Sequence, residues 1–167
     1  ISSITIDAHK MLQAQYVTGI FICRKGLIEN VLTKEAEYVE GMDLTLCGSR
    51  SGSNAVAVWM ILFTYGPFGW FEKVSILQMR TRFLCNELDK LGVRYFREPF
   101  MNIVTIHAEN IEEKIASEFD LVPQQHHGDN KWYKIVLMDH VEIEHLTTFI
   151  AQLKATLYAE ESITTPL

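Results

Sequence analysis

Cysteine is scarce in this chain: three residues, Cys23, Cys47 and Cys85, lie far apart and are odd in number. That excludes a disulfide framework and a four-cysteine zinc site. It suits structural thiols in a reducing compartment, so a cytoplasmic setting is expected. Positive charge is also short. Fifteen Lys and Arg stand against 21 Asp and Glu, for a formal net charge of -6, and no segment gathers the basic face that a nucleic-acid binder needs. Long apolar runs are missing too. The longest, "AVAVWMILFTYG" from Ala55 to Gly66, is well below the ~20 residues of a membrane-spanning helix and reads as a buried helix. No signal peptide is visible. What remains is 167 residues at 48% hydrophobic and 22% charged, a globular balance that argues against disorder. The chain opens at Ile1, inside what reads as a core strand, so a preceding part of the fold is expected.

Along the chain, residues 1–7 alternate as a buried strand and "GIFICRK" (Gly19 to Lys25) reads as a second, with a loop between them. "GLIENVLTKEAEYVEG" combines a short helical pattern with a polar loop around Tyr38, and "DLTLCGSRSGSN" is a strand entering a Gly/Ser loop. "GPFGW" (Gly66 to Trp70) is a break. Beyond it, Val74, Leu77, Leu84, Leu88 and Leu91 recur at helical spacing, and Gly92 supplies a C-terminal cap. Strands "VRYFRE" and "NIVTIHA" follow, then a helix from Asn110 to Phe119 with Asn110 as its cap. A strand-like "DLVPQQ", a turn "HHGDN", a strand "KWYKIVLM" and a helix from Val141 to Ala159 complete the chain. Two parts are expected: residues 1–66, and residues 67–167 as a linking helix with a small α+β domain.

Chemistry concentrates where the first strand stops. In "SITIDAHKM" (Ser3 to Met11) an apolar alternation ends in Asp7, His9 and Lys10, at the strand end where open α/β sheets place ligands. A solvated loop lysine is the commonest reading of any Lys. The alternative is an amine held in an apolar cleft, where it sheds its proton and becomes a nucleophile towards aldehydes. His9 would then donate to a phosphate or carbonyl oxygen; a loop histidine bonded to backbone is as good a reading. "CGSRSGSN" (Cys47 to Asn54) offers small residues, Arg50 and a following helix, the ingredients of an anion cradle. Most Gly/Ser loops are simple turns. Tyr38 beside Val39 reads, by itself, as a packing aromatic. His107, His126, His127 and His140 have no partners at metal spacing and read as exposed loop or helix-end residues.

Five blocks, "SITIDAHKM", "EYV", "CGSRSG" with "AVAVW", "EPFMNIVTI" and "YKIVLMDHVEIEHLTTFI", resemble in order and spacing the group II pyridoxal-phosphate-dependent amino-acid decarboxylases. The archaeal tyrosine/aspartate enzymes and the bacterial and plant histidine- or serine-decarboxylase type are the nearest in pattern. The resemblance covers essentially the whole chain and matches the C-terminal two-fifths of such an enzyme. It implies the end of the large domain of a fold-type I enzyme followed by a small α+β domain. Lys10 would hold the cofactor as an imine, His9 would touch its phosphate, and Tyr38 would pass a proton to the α-carbon. Gly48, Ser49 and Arg50 would approach the phosphate from a neighbouring subunit of a homodimer. Lys134 stands where archaeal relatives carry an arginine for the substrate carboxylate. A lysine cannot clamp with two parallel bonds, which weakens both that role and any inherited substrate choice. The substrate implied is an aromatic or heteroaromatic amino acid such as histidine or tyrosine. Because the cofactor's ring-nitrogen and stacking partners precede the lysine in relatives, residues before this chain, or a companion chain, are expected to complete the site. Two other readings stay open: a carbon–carbon lyase of the sphingosine-phosphate-lyase type, and an inactive fragment that serves only assembly.

Overall fold

The computed structural model describes residues 1–31, 50–126 and 129–163, with backbone alone for 124–126, 129–131 and 160–163. The chain divides into two compact units, Ile1–Gly69 and Trp70–Leu167.

In the first unit, β1 (Ser3–Asp7) pairs antiparallel with β2 (Gly19–Cys23), in register from Ser3 opposite Cys23 to Asp7 opposite Gly19. Alternating β-branched residues favour both strands. The expectation of a buried strand is corrected: Ile4, Phe21 and Ile22 are exposed, since alternation marks a face that can be buried without supplying what covers it. The loop joining the strands contains two left-handed residues, Gln13 (φ 55°) and Val17 (φ 63°). A β-branched residue in that region crowds its own carbonyl, at a cost of ~1–2 kcal/mol. Val17 is 72% exposed and recovers little by burial. Asparagine tolerates this conformation without glycine's entropy cost, so Val17→Asn should stabilise the hairpin by about 0.5–1 kcal/mol in urea melts. A destabilised variant would contradict that.

After a 3-10 turn at Ile28–Val31, α1 (Gly52–Lys90) begins, and Gly66 (φ 58°, ψ −177°) interrupts it ahead of Pro67. The predicted break is thus one glycine wide, with helix on both sides: Gly66 takes an angle that other residues avoid, and Pro67 restarts a helix easily. The segment before it is not the buried helix expected. Val56, Trp59, Met60 and Phe63 are exposed, and the Trp59 and Phe63 rings stack one turn apart at 5.2 Å.

The second unit sets a four-stranded antiparallel sheet against helices. The strands are β3 (Tyr95–Phe96), β4 (Ile103–His107), β5 (Val122–His126) and β6 (Asp129–Val136), in the order β3-β4-β6-β5. Helices α2 (Glu113–Glu118) and α3 (Ile143–Ile163) complete it. The core joins Leu84 and Leu88 of α1, Val104 and Ile106 of β4, Leu137 after β6, and Phe149 and Leu153 of α3. Helix α1 ends as predicted at Gly92 (φ 67°). The Val93 N–H reaches the Leu88 carbonyl at 3.0 Å and the Gly92 N–H reaches Asp89 at 3.1 Å, the paired bonds of a glycine C-cap. Arg80 donates from Nη1 to the Asp139 and Val141 carbonyls, both at 3.0 Å, while Lys73 pairs with Asp139 at 2.7 Å. These bonds hold the turn that feeds α3. Asn110 is not the α2 cap expected. The extended residue before that helix is Glu112, and the Asn110 Oδ1 accepts from the Arg94 N–H at 3.0 Å.

Candidate active site

The β1–β2 hairpin positions the Asp7, His9 and Lys10 cluster. Ala8 is fully buried, and its N–H donates to the Thr18 carbonyl at 3.1 Å, closing the loop just beyond the Asp7–Gly19 pair. The Ala14 N–H returns to the Ala8 carbonyl at 2.9 Å, and the Lys10 N–H to the Asp7 carbonyl at 3.0 Å. The turn then throws the Lys10 side chain outwards.

Lys10 Nζ lies 2.7 Å from Asp7 Oδ2, and its side chain is 65% exposed. The hydrogen bond and charge of the Lys10 ammonium hold the Asp7 carboxyl below the usual carboxylate range. The apolar cleft expected around Lys10 is therefore absent among the described residues. In this chain the amine faces a carboxylate and solvent. His9 is half-buried. Its Nδ1 donates to the Thr18 carbonyl at 3.1 Å, and its ring meets Tyr16 edge-on at 5.1 Å. Thr18 is itself buried, and its hydroxyl donates to the Gln15 carbonyl at 2.7 Å. Neither Tyr16 nor Thr18 was singled out by sequence reasoning. Their contact with His9 depends on how the loop closes, and no local pattern encodes that.

The other candidates are not gathered here. Tyr38, Gly48 and Ser49 lie outside the described residues. Arg50 is exposed two residues before α1, and among the described residues no hydrogen bond or ion pair joins it to His9 or Lys10. Lys134 belongs to the second unit, on β6 opposite Thr105 of β4 and Val122 of β5. It borders a cavity of about 400 Å³ that Phe119, Leu121, His145, Leu146 and Phe149 also line. His107, expected on an exposed loop or helix end, stands in β4 with its side chain only 12% exposed, edge-on to Trp132 at 4.9 Å.

No protein-family model matches the chain. Individual proteins do. A tryptophan decarboxylase of Clostridium sporogenes is 54% identical over 154 residues, covering 92% of this chain and 37% of that enzyme. An L-aspartate decarboxylase of Thermococcus kodakarensis is 33% identical, covering 92% of this chain and 41% of its own length. The chain therefore spans about two-fifths of the relatives it matches. Among solved structures, the L-methionine decarboxylase of a Streptomyces species superposes with a TM-score of 0.69 at 21% identity, over 93% of this chain and 32% of that one. A sphingosine-1-phosphate lyase of Burkholderia pseudomallei reaches 0.73 at 15% identity, over 95% and 38%. These two likenesses establish the fold-type I architecture alone. The sequence identities make this chain, over about nine-tenths of its length, a homologue of part of the group II pyridoxal-phosphate-dependent amino-acid decarboxylases.

Proposed function

We propose that this chain contributes the cofactor lysine and the small C-terminal domain of a pyridoxal-phosphate-dependent decarboxylase that releases carbon dioxide from L-tryptophan. The observation that carries the reading is the 54% identity to a tryptophan decarboxylase across 92% of the chain. Histidine, one of the two substrates expected as examples, is named in none of the relatives described; tyrosine recurs beside aspartate in more distant ones. The lyase reading is not favoured, since a likeness at 15% identity speaks for architecture and not for chemistry.

The donor set fits such a cofactor. An accessible primary amine at Lys10 and an imidazole on the residue before it suit an aldehyde and a phosphate. When bound, the cofactor supplies an electron sink for the pair left on the α-carbon as carbon dioxide departs. The remaining work belongs to the chain. Lys10 Nζ must leave Asp7 and lose a proton before its lone pair can attack a carbonyl carbon. In this reading Tyr38 delivers a proton to the α-carbon, and Gly48, Ser49 and Arg50 approach the phosphate across a homodimer interface. Segments outside this chain complete the site.

The test supplies the purified full-length protein, including the segments that complete the site, with pyridoxal phosphate and measures carbon dioxide and amine from tryptophan, tyrosine, aspartate and histidine. Tryptophan should be preferred by about tenfold or more in kcat/KM, the scale on which side-chain pockets discriminate. A faster reaction with aspartate, or an aldehyde released from a phosphorylated substrate in place of carbon dioxide, would overturn the reading.

A further inference from the structure

We infer that the Thr18 carbonyl fixes the proton of His9 on Nδ1, so that His9 can donate to a phosphate only as a doubly protonated imidazolium. The inference rests on the proposed cofactor contact at His9, and it assigns Thr18 as a positioning residue for that contact.

The argument begins with hydrogen-bond polarity. A backbone carbonyl accepts and cannot donate, so His9 Nδ1, 3.1 Å from the Thr18 oxygen, must carry hydrogen. A neutral ring with its proton there has a bare lone pair on Nε2. Towards a phosphate oxygen that carries no hydrogen, that lone pair is repulsive. A second proton converts Nε2 into a charge-assisted donor, the stronger class of hydrogen bond.

The loop resists the alternative arrangement in which Nε2 carries the single proton. The Thr18 oxygen is held in place by also accepting from the Ala8 N–H at 3.1 Å, and Thr18 is buried with its hydroxyl bonded to Gln15. Gly19, the next residue, pairs with Asp7 in the hairpin. Tyr16 lies edge-on against the imidazole, with the ring planes at 60°. Turning the ring over would lose the Thr18 bond and disturb that contact. Among the described residues, the charged and titratable groups beside His9 are Asp7, Lys10 and the Tyr16 phenol. Asp7 and Lys10 pair with each other, and a positive His9 ring also helps hold the Asp7 carboxyl down.

The experiment labels the holoenzyme with 15N-histidine and reads the His9 ring nitrogens by long-range proton–nitrogen NMR, with pyridoxal phosphate as the probe. A His9→Gln sample assigns the signals. Without cofactor at mildly alkaline pH, Nδ1 should carry the proton and Nε2 none. With cofactor bound, both nitrogens should be protonated. A bare Nε2 in the loaded protein, or a ring protonated on Nε2 alone in either state, overturns the inference and leaves the decarboxylase reading standing. If borohydride fixes no cofactor to Lys10 at all, that reading fails, and the phosphate contact with it.

Affinity gives a second readout. As pH rises, the wild-type protein should lose cofactor affinity relative to His9→Gln by up to about tenfold per pH unit, the linkage of one proton. A glutamine amide donates without titrating, and Lys10 is common to both proteins. Parallel profiles would contradict the imidazolium.

Discussion

Replacing Lys10 with alanine should leave no cofactor attached after borohydride reduction, and should lower decarboxylation by about 10²–10⁴-fold, the range a positioned acid–base side chain contributes. The expectation follows from what alanine removes: an amine that is accessible, at the end of β1, and beside an imidazole of fixed orientation. Stability should hardly change. The Lys10–Asp7 pair is exposed on both sides, and such pairs add little to folding. Lys10→Arg separates charge from chemistry. A guanidinium keeps a cation opposite Asp7 but does not deprotonate at any working pH, so this variant should be as inactive as Lys10→Ala with an unchanged melting curve. Covalent cofactor on either variant, or turnover within about tenfold of wild type, would remove Lys10 from its assigned role.

The parts of this molecule that were legible in its sequence are those fixed locally. The 3.6-residue recurrence from Val74 to Leu91 and the glycine that follows describe a helix and its stop, and the structure has both. The alternation in "SITID" and "GIFIC" describes two strands, and they pair with each other. Where sequence reasoning failed, the answer depended on a partner surface. Apolar content made the segment through Trp59 read as buried, yet Trp59 and Phe63 are exposed and stacked on each other. Apolar content states what a helix can bury, while burial requires another element opposite. The same gap explains Lys10. Its place at a strand end was readable, but a cleft needs walls that the described residues do not build. Asn110 is a different failure. An asparagine just ahead of a helical pattern reads as a cap, but its Oδ1 accepts from the distant Arg94 N–H instead.

Leu84→Ala should destabilise the second unit by about 2–5 kcal/mol, the established range for emptying a close-packed leucine site. Leu84 is fully buried, as is Leu88 one turn further along α1. Both belong to one core with Val104 and Ile106 of β4 and Leu153 of α3. Since the site is walled by a sheet on one side and a second helix on another, it cannot collapse onto the smaller side chain without moving elements that other residues hold. Arg80 pins the turn before α3, and the sheet is tied by its strand pairings. Alanine's better helix propensity offsets only a few tenths of a kcal/mol. The check is a urea melt followed by fluorescence of Trp70 and Trp132, which lie in that unit. The midpoint should fall with the slope unchanged, because the surface exposed on unfolding is the same. Leu84→Met retains the volume and should cost less than about 1.5 kcal/mol. The contrast between the two variants carries the argument: equal losses would mean that Leu84 acts through its shape alone, and a loss under 1 kcal/mol for alanine would mean that the core around it is loose. Because domains have only about 5–15 kcal/mol of stability in all, the alanine variant should sit visibly closer to unfolding at 37 °C.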